Sequence, residues 1–215
     1  MSASPKHDGT APGAVFLTAL IALRFGLPPQ SWPWYLVLPL LGYSVIVFAW
    51  PRLRQTAPRL RVGNTSGWPL AVAVAFSSAT SVALVGFQKL MHPNVGDLAD
   101  KLPLNTFDNL LAAAICFSLV NATLEELIFH GLLWEFVAAE WNSSVALVGT
   151  TVLFGFGHLH GYPPGPLGAV LAGVFGLALG LLRWWTGGLG LAIAVHFCAD
   201  ATIFGLITSS ARSSA

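Results

Sequence analysis

Charge is what this chain has least of. Only 9% of its 215 residues are Asp, Glu, Lys or Arg, against about 25% in an ordinary soluble domain. Too little charge is present to clothe a water-exposed globular surface. Disorder is excluded as well: disordered chains are charge-rich and poor in apolar residues, whereas 55% of this chain is hydrophobic. Neither sign dominates, and a net charge of +1 leaves no basic face for nucleic acid. Cysteine is scarce. Cys116 and Cys198 both lie in apolar runs, the usual setting of buried, unreactive thiols, and they form no disulfide framework. What the chain does have is apolar stretches of spanning length. They predict an all-α, polytopic transmembrane bundle of about 6–8 helices embedded in a lipid bilayer.

A spanning helix needs roughly 20 apolar residues. Residues 1–13 are polar and read as an N-terminal tail. Residues 14–27, interrupted by Arg24, read as a short first span or interfacial segment; no small-x-small cleavage site follows to make them a signal peptide. Further spans are expected at 33–50, 68–90, 107–141 (one long helix), 144–160, 166–185 and 187–208. Residues 14–208 then form one membrane domain, with the chemistry in 107–205 and a tail at 209–215. Arg52, Arg54, Arg59 and Arg61 form a basic loop, which the positive-inside rule places in the cytoplasm together with the N-terminus. The loop at 91–105, with Asp97, Asp100 and Lys101, and the breaker Gly161–Pro166 fall outside; Arg183 falls inside. Trp32, Trp34, Trp50, Trp68, Trp134, Trp141, Trp184 and Trp185 all stand near span ends, as an interfacial belt requires. Gly168, Ala172, Gly176 and Gly180 recur every fourth residue, a small-residue stripe for close helix packing. The Ala-, Gly- and Trp-rich spans suggest a bacterial inner membrane.

In so apolar a chain the intramembrane polar residues are the informative ones, because a charge at the bilayer centre costs about 2.5–3.5 kcal/mol or more. Three clusters qualify: Asn121 with Glu125-Glu126 and His130; Phe154-x-x-x-His158; and His196-x-x-x-Asp200. Counted from the inner boundary at 1.5 Å per residue, Glu125 and His196 lie ~13 Å deep, and Asp200 and His158 ~20–21 Å. Three helices therefore bring carboxylates and imidazoles to similar depth. Asn121 and Glu125, Glu126 and His130, and His196 and Asp200 are each four apart, so each pair is expected to share a helix face. His160 reads as interfacial. Cys198 is two residues from His196 and cannot face it on a helix, which argues against a Cys–His nucleophile.

These clusters, in this order, resemble the CPBP family of CAAX prenyl proteases, bacteriocin-processing enzymes and ABI-type membrane proteins. Its pattern is Glu-Glu-x-x-x-Arg, Phe-x-x-x-His, then His-x-x-x-Asn or Asp. Glu125-Glu126, Phe154…His158 and His196…Asp200 match it, and the resemblance covers about residues 107–205. One position departs: His130 stands where the family has arginine. Arginine would clamp Glu126 with a permanently charged fork; histidine offers a single hydrogen bond and can lose its charge.

The resemblance implies an intramembrane glutamic endopeptidase acting on a membrane-anchored protein or peptide. Carried over by position, Glu125 activates a water, His158 positions or polarises it, and His196 and Asp200 line the oxyanion side. Glu126, His130 and Asn121 support them. Water must reach these residues, so a cavity open to one membrane face is expected, with depth favouring the cytoplasmic side. No cofactor is expected. Zinc at the same residues is the disfavoured alternative, since no His-Glu-x-x-His motif is present. The non-enzymatic alternative is a membrane binding or immunity-type scaffold. A proton-coupled transporter fits less well, because the chain has no matching halves. Substrate identity and oligomeric state are not set by the sequence.

Overall fold

The computed structural model describes residues 10–26, 32–50, 60–99 and 109–213. Among these residues the chain is helical, without strands: α1 (Thr10–Gly26), α2 (Trp34–Ala49), α3 (Trp68–Met91), the single turn α4 (Gly96–Ala99), α5 (Leu110–Glu140), α6 (Ser143–Gly157), α7 (Gly165–Thr186) and α8 (Gly190–Ser213). Each expected span is a helix. Four of them, α3, α5, α7 and α8 up to Ser210, are long and apolar enough to cross a membrane. Helix α1 begins at Thr10, inside the expected tail, and α8 continues through Ser213. Residues 1–9, Arg52, Arg54, Arg59, Asp100 and Lys101 lie outside the described residues.

Local chemistry sets several helix ends. The Asn109 side chain accepts from the Leu111 N–H at 2.8 Å and starts α5; Asn142 accepts from Val145 at 3.0 Å and starts α6. Each supplies an acceptor for an otherwise orphaned helix donor. Gly187 ends α7 in the left-handed conformation at φ 70°, where a Cβ would be strained.

The expected single helix at 107–141 departs from its ideal in the middle. Residues Leu127–Leu133 are π-helical, a widened turn of the kind that recurs at functional sites. The widening frees the His130 carbonyl, which accepts from Arg183 Nε at 2.7 Å. Arg183 also pairs with Glu135 and lies 4.3 Å over the Trp134 ring. A cation near the membrane boundary is thereby satisfied, and the end of α7 is pinned to α5.

The small-residue stripe is packing, as expected, and it also positions the site. A Cβ on Gly176 would lie 2.9 Å from the Phe154 ring, and one on Gly180 would lie 2.7 Å from Leu147 and 3.3 Å from the His130 ring. On the facing helix, a Cβ on Gly155 would lie 2.8 Å from the Ala169 carbonyl oxygen. Helices α6 and α7 cross this closely because neither carries side chains at the crossing. One end of the bundle joins the segment after the basic loop to the α7–α8 turn: Leu189 N–H donates to Arg61 O and Gly190 N–H to Val62 O, both at 2.8 Å. At the other end Tyr162 Oη donates to Gln88 Oε1 at 2.6 Å, and Gln88 Nε2 donates to Ser210 Oγ at 2.9 Å.

Replacing Gly176 by alanine is expected to cost about 1–3 kcal/mol through overpacking against Phe154. Gly86, with no atom within 4 Å of an added Cβ, is the control. Thermal melts in detergent check the pair: Gly176→Ala lowers the Tm and Gly86→Ala does not.

Candidate active site

Helix α5 supplies Asn121, Glu125 and Glu126, the end of α6 supplies His158, and α8 supplies His196 and Asp200. All but His158 are buried; Glu126 is 0% exposed and His196 is 3%. The structure brings together the side chains singled out in the sequence, except that His130 takes a different place.

Glu126 and His196 form the central contact. His196 Nδ1 lies 2.8 Å from Glu126 Oε1. With Nδ1–H donated to that carboxylate, Nε2 is directed at the other two acids, 3.8 Å from Glu125 Oε2 and 3.7 Å from Asp200 Oδ1. His158 is fixed in the same manner by a different acceptor. Its Nδ1 lies 2.7 Å from the Phe154 carbonyl oxygen and so must donate to it. Nε2 then faces Glu125 Oε2 at 3.4 Å. Two imidazoles from different helices therefore turn Nε2 toward one oxygen of Glu125. That oxygen is buried and has no hydrogen-bond partner among the described residues.

Phe154 holds this arrangement from below. It is 1% exposed. Its ring stacks on His158 at 4.3 Å between centroids and meets His196 edge-on at 5.7 Å. Its own carbonyl orients His158, so one residue sets both the level and the rotation of the imidazole.

Three sequence expectations need correction. Glu126 does not pair with His130. The π-helical stretch begins at Leu127, so residues four apart across it no longer stack. His130 is fully buried against Phe154, 5.9 Å between ring centroids and under Gly180, and neither ring nitrogen has a hydrogen-bond partner among the described residues. Asn121 likewise bonds across helices, donating from Nδ2 to Asp200 Oδ2 at 3.2 Å rather than to Glu125. Cys198, expected to be buried, is exposed on α8 and lies outside the site.

Three cavities meet at His158. The polar one, about 350 Å³, is lined by Trp32, Asn121, Glu125, His158, His160, Tyr162 and Asp200 among others. An apolar cavity of about 240 Å³ runs from His158, His196 and Asp200 along Phe76, Leu84, Phe87 and Phe175. A second apolar cavity, about 290 Å³, runs from Glu125 and His158 along Leu17, Leu36, Phe129 and Leu153. The polar cavity also reaches Leu98 and Gly161, at the end of the bundle opposite Arg61. Its mouth is thus not on the side of the basic loop, where depth alone had put it. The cause is the length of α6. Its 15 residues span only ~22 Å at 1.5 Å each, less than the ~30 Å apolar core, which leaves a recess above His158. His160 is exposed at this mouth.

The sequence reading missed Trp32, which it counted only as an interfacial anchor. Trp32 Nε1 donates to Asn121 Oδ1 at 3.0 Å. Its one sequence signal was a place beside Pro33 at a span boundary, shared by other tryptophans.

Removing the Glu126 carboxylate strands a buried His196. Glu126→Ala is expected to destabilise the protein by about 3 kcal/mol. Glu126→Gln, which keeps an oxygen for Nδ1–H, is expected to cost less than half as much. Thermal unfolding in detergent measures both; equal losses would show that the hydrogen bond is not what holds α5 to α8.

Residues 107–202 match a family model described as type II CAAX prenyl endopeptidase, Rce1-like. No curated protein and no solved structure matches the chain. The matched segment contains the Glu125, His158, His196 and Asp200 cluster, together with Asn121 and Glu126. The model it matches is one of CAAX-type endopeptidases, and four of the described helices are long and apolar enough to cross a membrane. The match covers a little under half of the chain: over residues 107–202 it is similar to the Rce1-like CAAX proteases.

Proposed function

We propose that the protein hydrolyses a peptide bond in a membrane-anchored protein or peptide, with Glu125 as general base. The observation that carries this reading is the pair of Nε2 atoms directed at Glu125 Oε2, at 3.4 and 3.8 Å, beside a polar cavity. His158, with Nδ1–H donated to a carbonyl, presents Nε2 as an acceptor. It and Glu125 can hold one water between them. Glu125 takes a proton as the water oxygen bonds to the scissile carbonyl carbon, and returns it to the leaving nitrogen as the C–N bond breaks. His196, as an imidazolium held by Glu126, donates Nε2–H to the oxyanion. Asp200 can assist only when it carries a proton; Asn121 occupies Oδ2, which leaves Oδ1 to carry it. Such donors, fixed before the reaction, act strongly in a water-poor site. The two apolar cavities beside His158 suit apolar groups on either side of the bond.

No group of three or more His, Cys, Asp or Glu side chains with metal-holding geometry occurs among the described residues. We take the metal-free route as the reading, with zinc at the same residues as its alternative. Cleavage of a membrane-anchored peptide library by the purified protein tests both. Glu125→Gln, His158→Ala and His196→Ala are each expected to lower the rate at least 100-fold, while chelator treatment leaves it unchanged. Activity lost to a chelator and restored by zinc would replace this mechanism with a metal one. No cleavage by the unaltered protein would favour the scaffold reading.

The same geometry supports a reading of sidedness. With the arginine loop in the cytoplasm, as expected for a bacterial inner membrane, the polar cavity opens on the outer face. In a background with Cys116 and Cys198 changed to serine, a membrane-impermeant maleimide should label His160→Cys in spheroplasts and leave Leu60→Cys unlabelled. The reverse pattern would turn the site toward the cytoplasm.

A further inference from the structure

We infer that Trp32 is a positioning residue for Asp200, acting through Asn121, so that the site is incomplete without a residue from the chain ahead of the family-matched segment. The inference rests on the proposed peptidase only for the consequence in rate; the geometry stands apart from it. Trp32 Nε1 donates to Asn121 Oδ1 at 3.0 Å, and Asn121 Nδ2 donates to Asp200 Oδ2 at 3.2 Å.

The chemistry of the first donor settles the order of the rest. An indole N–H can only donate. The atom of Asn121 that faces it must therefore be the oxygen, which turns the amide nitrogen to Asp200. Without Trp32 the amide is free to rotate by half a turn and present its oxygen to the carboxylate, an acceptor against an acceptor. Asn121 is 8% exposed and Asp200 5%, so little water is at hand to restore the lost bond. The indole is itself held, with its ring 5.0 Å from that of Phe117, one turn before Asn121 on the same helix. Trp32 is half-buried and borders the polar cavity. Its hydrogen bond goes to Asn121, and it reaches the reacting atoms through that residue.

Two measurements on the full-length protein in detergent test this. In protein labelled with ¹⁵N-tryptophan, the Trp32 indole signal is assigned by its loss in Trp32→Phe. It is expected to shift in Asn121→Ala and also in Asp200→Asn, although the indole's hydrogen bond is to Asn121 and not to Asp200. A Trp32 signal unmoved by Asn121→Ala or by Asp200→Asn overturns the relay, whether or not the protein cleaves anything.

In the cleavage assay, Trp32→Phe keeps a ring against Phe117 and removes only the donor. It is expected to lower kcat about tenfold, the value of one hydrogen bond to a polar or charged group, with KM changed less than twofold. In an Asn121→Ala background the same change is expected to have no further effect. A loss that persists in that background, or that falls on KM, marks Trp32 as a packing residue and overturns the proposal. If the unaltered protein does not cleave, the peptidase reading fails, and the indole signal still decides the relay.

Discussion

The hydrogen bond between Glu126 Oε1 and His196 Nδ1, 2.8 Å long and shut away from solvent, is the constraint on which the rest of the site depends. It ties α5 to α8, the two helices that carry most of the polar side chains. In an apolar interior neither partner has water to turn to, so separation would leave a buried polar group unmade, at a cost well above the value of the bond itself. The bond also decides the chemistry of the histidine. Once Nδ1 is committed, only Nε2 is left to act, and the helix geometry turns it toward Glu125 and Asp200. Glu126 thus does for His196 what the Phe154 carbonyl does for His158: each consumes one ring nitrogen and thereby directs the other.

That second arrangement depends on close packing rather than on charge. Phe154 must sit low in the bundle for its carbonyl to meet His158 and for its ring to lie under both imidazoles. Glycine at 176 makes the space, and glycines at 155 and 173 let α6 and α7 come together. The small residues that looked like generic membrane packing therefore fix the height of a functional ring. Substituting one of them should reach the site without touching a polar atom.

Much of the candidate site's clustering was legible in the sequence, because intramembrane charges are costly enough to be rare. Glu125, His158, His196 and Asp200 stood out for that reason, and helix rise alone put them at similar depth. What was not legible depends on departures from ideal helices. The π-helical stretch at Leu127–Leu133 has no simple sequence mark, yet it separates Glu126 from His130 and sends each to another neighbour. Position-counting assumed four-residue faces throughout, and it failed where the helix widened. The helical spans themselves were legible, since apolar run length is what a bilayer selects. The end of α6 was not: the expected span ran on to residue 160, but the chain turns after Gly157. This early turn moves the cavity mouth to the end away from Arg61.

The short α6 and the Trp32 contact are two parts of one solution. A helix that stops below the membrane surface opens a recess in which water can meet Glu125, but the same recess loosens the surroundings of Asp200 and Asn121. Trp32, just ahead of α2, and Tyr35 of α2 line that recess, and Trp32 sets a ring against Phe117 and an N–H to Asn121. Water access and rigid alignment ordinarily oppose each other inside a bilayer. In the proposed mechanism they fall to different elements: α6 admits the water by ending early, and Trp32 restores the alignment. On that proposal a core of spans that bears the acids and imidazoles of the site still needs a neighbour from outside it, because the side chains that would do the chemistry cannot also wall the opening through which their water arrives.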